Sequence, residues 1–99
     1  MALFLVNARD KAGALKVRMD NRPAHLEWAK QHADRIWMAG PVFAEDGETF
    51  AGSTFVVEFD SLAAARVWAD EDPYAKAGLF EHVEIVPFKW LLGDGKPGG

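Results

Sequence analysis

The order of apolar segments along this sequence predicts an α+β fold of the ferredoxin-like kind, a βαββαβ sandwich with two helices on one face of a four-stranded antiparallel sheet. Three observations predict it. The 99 residues provide one hydrophobic core and no material for a second. Four apolar segments of strand length alternate with two segments of helical period. The Gly-rich end, GDGKPGG, marks residues 93–99 as a flexible tail and leaves 1–92 as a single domain.

The first strand and the first helix occupy the first third of the chain. Residues 2–7, ALFLVN, form a continuous apolar run of strand length. The helix is predicted to begin at Asn21, a good N-cap, because Pro23 is tolerated in a first turn. It should end at about His32 or Ala33. The residues predicted to face inward have helical spacing: Leu26, Ala29 and Ala33.

Two strands joined by a loop follow. The segment RIWMAGPVF, residues 35–43, is predicted to be the second strand, ended by its Gly-Pro pair. Residues 44–52 contain an Asp-Gly turn signal and form the predicted loop. Residues 53–60 are the predicted third strand, in which alternate side chains point to opposite faces. The two predicted sets are Phe55, Val57 and Phe59 on one face and Thr54, Val56 and Glu58 on the other.

The second helix and the last strand complete the order. Ser61 is the predicted N-cap, and the helix should end at or just before Asp72, because the residue ahead of a proline is disfavoured in the α region. Residues 74–80 form a turn or a short helix. Residues 82–92, HVEIVPFKWLL, are the predicted fourth strand, and Pro87 places it at an edge or a bulge of the sheet.

Both faces of the first strand are apolar, because Leu3 and Leu5 alternate with Phe4 and Val6. The second strand shows the same pattern. Helices cover only one face of such a sheet, so a monomer would expose the other face to water. An exposed apolar face needs a partner, and a second copy of the chain is the simplest one. We therefore predict a homodimer packed sheet to sheet.

Composition and charge argue against several functional classes. A net charge of -4 with scattered basic residues argues against nucleic acid as a partner. The apolar runs are too short for a membrane span, and a chain without cysteine suits the cytoplasm. His25 and His32 lack the HExxH pattern of a metal site, and the sequence has no cofactor motif. We expect a small-molecule substrate, no cofactor and no metal.

The second predicted helix carries a carboxylate on its apolar face. If that helix begins at Ser61, the i, i+3, i+4, i+7 spacing places four residues on one face, namely Ala65, Trp68, Ala69 and Asp72. Both helices cover the same sheet face, so His25 in the first turn of one and Asp72 at the end of the other can meet. Such an aspartate fixes the tautomer of its histidine and leaves the opposite ring nitrogen free as a general base.

The same residues also have plainer interpretations. An aspartate before proline often accepts a hydrogen bond from its own downstream backbone, and a lone histidine is often a packed residue. Ser53 could bind a substrate oxygen or belong to a turn, and Tyr74 could offer a phenol or cover a helix end. Arg22 could bind an anionic group or lie exposed in the first turn. The residues alone leave these alternatives open.

Several segments taken together resemble the YCII-related family. They are RPAHL, AGP, GST, WADEDPYAKAGLFEHVEI and PFK, and the resemblance runs over nearly the whole chain, to about Lys89. It implies a ferredoxin-like fold that dimerises into an α+β barrel. It also implies an active site built on a His-Asp pair, here His25 and Asp72, in a pocket that includes Ser53 and Tyr74.

The expected function is general acid/base catalysis on a small cyclic or aromatic-derived metabolite, of the lyase or isomerase type. His25 and Asp72 would be catalytic, and Ser53, Tyr74 and Arg22 would bind the substrate. The resemblance also implies three kinds of reaction, because related proteins catalyse them. They are isomerisation, elimination from chlorinated aromatic products, and cofactor-independent oxygenation. The alternative is a non-catalytic dimeric module that binds a metabolite. An oxidative enzyme of the monooxygenase kind is a third hypothesis, which no residue favours.

Overall fold

A computed structural model describes residues 2–96, and the last three residues of the predicted tail, 97–99, lie outside this range. The elements are β1 Ala2–Asp10, α1 Leu15–Gln31, β2 Ile36–Phe43, β3 Phe50–Phe59, α2 Leu62–Asp70, α3 Pro73–Lys76 and β4 Phe80–Phe88. The sheet has four antiparallel strands in the order β2-β3-β1-β4. This order confirms the α+β class and is compatible with the ferredoxin-like sandwich.

The core lies between the central strands and the helices. In β1, Phe4 and Val6 are buried beneath the helices, paired across the sheet with Val57 and Phe55 of β3. Because side chains alternate along a strand, both strands direct one apolar row toward the same side. The buried helical residues of the same cluster are Trp28 of α1 and Ala65, Trp68 and Ala69 of α2. Both helices therefore cover one face of the sheet, as predicted.

Helix α1 begins at Leu15, well before the predicted start at Asn21. Asn21 does not cap the helix, since its side-chain amide donates to the carbonyl of Val17 at 2.8 Å. Pro23 lies inside the helix and is exposed. A proline in a helix interior costs about 3 kcal/mol, partly because the carbonyl one turn back loses its N–H partner. The predicted start of α1 was wrong because proline is typical of a first turn. Here Pro23 lies inside the helix, on the side that faces solvent.

The predicted inward face of α1 is also wrong in part. Leu26 is 40% exposed and Ala33 is exposed, whereas only Ala29 is half-buried. The helix instead buries Trp28 at its centre, because the indole has far more apolar area to remove from water than leucine or alanine. The inward stripe is Arg18, Asn21, His25, Trp28 and His32, at spacings of three and four residues.

Strand β3 begins earlier than predicted, whereas β2 agrees with the predicted segment 35–43 to within one residue. The Gly-Pro pair does not end β2, which continues to Phe43 and pairs Pro41 with Ser53 of β3. Proline is tolerated there because β2 is an edge strand. Strand β3 begins at Phe50 and not at Ser53, and this shortens the predicted loop.

The remaining boundaries agree more closely with the sequence. The Ser61 hydroxyl accepts from the N–H of Ala64 at 3.1 Å, as expected of the N-cap of α2. The segment after Pro73 is the short helix α3. Strand β4 spans Phe80–Phe88, shifted toward the amino terminus from the predicted 82–92, and Pro87 lies on an edge strand as predicted.

The sheet face opposite the helices is apolar at one end and polar at the other. One row across all four strands is apolar, in the order Met38, Val56, Leu5 and Val86. A second row contains Thr54, Asn7 and Glu84, and the Thr54 hydroxyl is 3.2 Å from the Asn7 side-chain oxygen. Within residues 2–96, none of the helices has the length and the apolar run that crossing a bilayer requires.

Candidate active site

A cavity of about 340 Å³ lies on the helix side of the sheet, between α1 and the edge formed by β2 and β3. Its walls are mainly apolar and aromatic, with Phe43, Phe50 and Phe55 contributing rings. Exposed Met19 and Leu26 of α1 also border it. The polar side chains on its wall are Arg18, Arg22, His25, Ser53 and Tyr74. A concave apolar site with a few convergent polar groups is typical of small-molecule binding.

The structure brings His25 and Asp72 into contact. Nδ1 of His25 lies 2.8 Å from Oδ1 of Asp72, with the two side chains 12% and 4% exposed. The same Oδ1 accepts from the backbone N–H of Tyr74 at 2.9 Å and caps α3. The two interpretations of Asp72 therefore both apply, since it forms the local turn and also contacts the histidine.

The surroundings of His25 hold its ring in one orientation. The imidazole stacks on the Tyr74 ring, with centroids 4.0 Å apart and planes 13° apart, and Trp28 lies 5.9 Å away on the same helix. Because Asp72 is an acceptor, Nδ1 is the nitrogen that carries the proton in this contact. Nε2 has no hydrogen-bond partner among residues 2–96. It is therefore available to a ligand in the cavity.

Ser53 lies on the cavity wall, and it is only 3% exposed. Its position depends on Gly52, since a Cβ built at Gly52 would approach the carbonyl oxygen of Ala8 to 2.1 Å. No other residue fits at that close approach between β3 and β1. The sequence pair Gly-Ser therefore reflects a packing requirement of the sheet as well as a hydroxyl in the cavity.

Tyr74 and Arg22 also lie on the cavity wall, at different depths. Tyr74 is buried, and that burial raises the pKa of its phenol, while the positive charges of Arg18 and Arg22 act in the opposite direction. Arg22 is exposed and forms no ion pair with any carboxylate of residues 2–96. It lies in the second turn of α1 and not in the predicted first turn. The cavity thus has an available cation at its exposed side.

Arg18 and Asp10 are site residues that the sequence analysis missed. The Arg18 guanidinium donates to both oxygens of Asp10, from Nε at 2.8 Å and from Nη2 at 2.9 Å, and from Nη2 to the Ser53 hydroxyl at 2.9 Å. Burial acts to lower the pKa of Arg18, but the hydrogen bonds and charge of Asp10 prevail and raise it. Arg18 and His25 are seven residues apart and lie on the same face of α1. A predicted helix start at Leu15 would therefore have placed Arg18 on the same side as His25.

His32 lies outside the cavity, in an aromatic cluster. Its ring centroid is 5.5 Å from that of Trp28 and 6.3 Å from that of Trp68, and these two indoles stack at 4.6 Å. Trp28 and Trp68 both belong to the core. In the part of the chain that the structure describes, no three His, Asp or Glu side chains are grouped as a metal ion would require.

Comparison with known proteins identifies relatives over most of the chain. The family model of the YCII-related domain matches residues 2–89. Protein YciI of Escherichia coli O6:H1 is 46% identical over 94 residues, which cover 88% of this chain and 96% of that protein. An uncharacterized protein of Haemophilus influenzae is 38% identical, over 87% of this chain and 95% of that one.

A solved structure is also similar. It is the 5-chloro-2-hydroxyhydroquinone dehydrochlorinase TftG of Burkholderia phenoliruptrix, in complex with 2,5-dihydroxybenzoquinone. The TM-score is 0.79 at 31% identity, covering 95% of this chain and 98% of TftG. Protein Atu4242 of Agrobacterium tumefaciens, with a TM-score of 0.55 at 20% identity, shares the fold alone.

Proposed function

This chain belongs to the YCII-related family, and from that premise we propose that it is a cofactor-independent enzyme that transfers a proton on a small cyclic or aromatic-derived metabolite. His25 is the general base or acid, and Asp72 orients it. The observation that carries the proposal is the 2.8 Å contact between Nδ1 of His25 and Oδ1 of Asp72 at the wall of a ligand-sized cavity. Nε2 of His25 is the atom that exchanges the proton with the substrate.

The proposed step is elimination, with isomerisation as a variant of the same chemistry. Nε2 of His25 takes a proton from the substrate, and the electron pair of that bond forms a new double bond. The leaving group then departs with its own bonding pair. The negative charge of Asp72 stabilises the imidazolium that forms. Likeness to the dehydrochlorinase TftG supports the elimination form of the reaction.

The proposed substrate is a single-ring compound. A cavity of about 340 Å³ lies at the lower end of the range for ligand sites and suits one ring with small substituents. Phe50 and Phe55 offer rings to its faces, and Ser53, Tyr74 and Arg22 offer donors to its oxygens. The ligand that TftG holds, 2,5-dihydroxybenzoquinone, is a compound of this class.

We also propose that the active form is a homodimer packed sheet to sheet. The apolar row across the open face supports this, because Met38 and Val86 in that row are 48% and 36% exposed in the single chain. Trp37 and Phe88 expose further apolar area on the same four strands. A second copy would remove that area from water.

A non-catalytic metabolite-binding module is the second candidate function. The observation that favours it is that Oδ1 of Asp72 also caps α3, a structural role that needs no chemistry. The two functions predict different stability effects. Breaking a fully buried structural pair costs about 3–5 kcal/mol, whereas a catalytic pair open to a cavity should cost much less.

The test is turnover of 5-chloro-2-hydroxyhydroquinone, followed as chloride release, in the wild type and in His25→Gln. We expect His25→Gln to lose activity while keeping the folded circular dichroism spectrum. His32→Gln is the matched control, because His32 lies on the same helix face but outside the cavity. Equal turnover by His25→Gln and the wild type would exclude the proposed base.

A further inference from the structure

The Arg18 guanidinium is a buried group with fixed contacts on several sides. It is 3% exposed, holds Asp10 with two hydrogen bonds, and lies 4.7 Å from the Tyr74 ring centroid and 5.6 Å from that of Phe50. Two aromatic faces and a bidentate carboxylate leave the guanidinium plane little freedom. Arg18 is therefore a rigid part of the cavity wall.

The contact between Arg18 and Ser53 determines what the serine hydroxyl can do. Nη2 of Arg18 donates to Oγ of Ser53 at 2.9 Å, so the oxygen accepts in this bond and its own proton remains available. Within residues 2–96 that proton has no acceptor, and Ser53 lies on the cavity wall. The hydroxyl is therefore a donor toward a ligand. A charged donor on its oxygen polarises the O–H bond and strengthens that donation.

The Asp10 contact sets the geometry of this arrangement. Nη2 of Arg18 has two hydrogens, and it donates one to Asp10 and the other to Ser53. The carboxylate therefore fixes the direction in which Arg18 contacts the serine. A lysine amine is a compact point charge and lacks this planar fork. Asp10 also offsets the charge of Arg18. The group that faces the ligand is therefore the Ser53 hydroxyl, which is neutral but polarised.

We propose that Ser53 is the oxyanion donor of the site, that Arg18 and Asp10 are its positioning residues, and that the substrate is a ring with an enolisable carbonyl. This inference rests on the proposed function of His25. When Nε2 of His25 removes a proton beside the carbonyl, the electron pair of the broken bond moves toward the carbonyl oxygen and forms an enolate. The oxygen then accepts from the Ser53 hydroxyl, and the donor is already in place when the charge develops.

The test uses 4-nitrophenol as a stable mimic of the enolate, because its oxygen charge can be followed by visible absorbance. Nitrobenzene, a ring of similar size without that oxygen, is the control ligand. We expect Ser53→Ala to weaken phenolate binding about tenfold, the order of one hydrogen bond to a charged group, and to leave nitrobenzene binding unchanged. Arg18→Lys should lose most of the same factor.

Arg22→Gln separates a hydrogen bond from a general attraction between charges. Arg22 is exposed, so the loss of phenolate affinity in Arg22→Gln should shrink as salt is added. The loss in Ser53→Ala should persist at high salt, because the bond is buried.

If Arg18→Lys does not fold, Asp10→Asn serves in its place, since it weakens the Asp10 contact and leaves the guanidinium present.

The results separate this inference from the proposed function. Phenolate binding that depends on Ser53 supports the inference whether or not any substrate is turned over. Turnover that depends on His25, together with equal phenolate binding by Ser53→Ala and the wild type, would overturn the inference alone. A wild type that binds phenolate no better than nitrobenzene would overturn it too.

Discussion

The two ends of the space beneath the helices are built in opposite ways. The tryptophan end is filled by stacked and edge-on rings, and it comprises Trp28, Phe55, Phe59 and Trp68. The polar end borders a cavity of about 340 Å³. It comprises four residues on the cavity wall, Arg18, His25, Ser53 and Tyr74, and the two carboxylates that pair with them, Asp10 and Asp72. Aromatic rings have a large surface and fill the space between helices and sheet when they pack against one another. Hydrogen-bonded ion pairs instead fix side chains at set distances, so the side chains beside the cavity do not collapse into it.

The comparison explains how a chain of this size combines stability with an open site. Trp68 stacks on Trp28 at 4.6 Å and meets Phe55 edge-on at 5.5 Å and 87°, so one indole joins a helix to the sheet. His25 is three residues before Trp28 on the same helix and is anchored by that packing. The tryptophan end thus supplies the fixed frame on which the polar end is built.

The largest expected effect is that of Trp68→Ala, which tests the tryptophan end as that frame. Removing a buried indole costs about 3–5 kcal/mol of unfolding free energy, measured by urea denaturation. Val67→Ala is the matched control, because Val67 is the neighbouring residue and is 61% exposed. A loss in Trp68→Ala as small as that of the control would mean that the rings do not hold the fold together.

Asp10→Ala is the second prediction and tests the polar end. The variant leaves Arg18 buried without its carboxylate, and such a loss costs about 3–5 kcal/mol in other proteins. The double variant Asp10→Leu with Arg18→Met should regain much of that stability, since a buried ion pair replaced by apolar groups is often neutral. It should not regain the phenolate affinity that depends on Ser53. Recovery of both would show that the pair serves stability alone.

The tryptophan end could be predicted more fully from the sequence than the polar end could. Phe55 and Phe59 alternate along a strand and Trp68 has helical spacing, so local periodicity placed them in the core. Asp10 belongs to no periodic pattern, and the helical spacing of Arg18 to His25 has meaning only if α1 begins before Arg18. The pairing of Arg18 with Asp10 depends on where α1 begins, and Pro23 suggested a later start than Leu15.

The His25 and Asp72 contact lies between these extremes. The sequence placed His25 on α1, although in a first turn, and placed Asp72 on α2, which ends before it at Asp70. The resemblance to the family named the two residues as a pair. Yet the turn interpretation and the contact with histidine could not be distinguished before the geometry showed one oxygen of Asp72 in both roles. A distance across two helices is set by tertiary packing, and no local spacing encodes it.

Asp72→Asn is the third prediction and separates the contacts of Asp72 from its charge. One oxygen of Asp72 both caps α3 and contacts Nδ1 of His25, and the amide oxygen of asparagine can keep both contacts. The stability loss should therefore be about 1–2 kcal/mol, the order of the difference between a hydrogen bond to a charged group and one to a neutral group. The His25 tautomer, assigned from nitrogen chemical shifts, should stay Nδ1–H, whereas turnover should fall because the imidazolium loses its carboxylate. The control is Asp70→Asn, an exposed residue of α2. Turnover by Asp72→Asn equal to that of the wild type would mean that the charge of Asp72 has no part in the reaction.

The smallest expected effect is a pH dependence that belongs to the polar end alone. Burial raises the pKa of Tyr74 above its ordinary value of 10.0, so the folded state favours the neutral phenol. The stability from this preference is present below pH 10 and is lost as the pH rises through the folded-state pKa. Tyr74→Phe should therefore show a shallower decline in unfolding free energy above pH 10, measured by urea denaturation. An equal decline in both proteins would place the alkaline instability elsewhere. A shallower decline in Tyr74→Phe would show that the phenol of Tyr74 stays neutral in the folded protein. Burial of the phenol would then outweigh the opposite effect of the charges of Arg18 and Arg22.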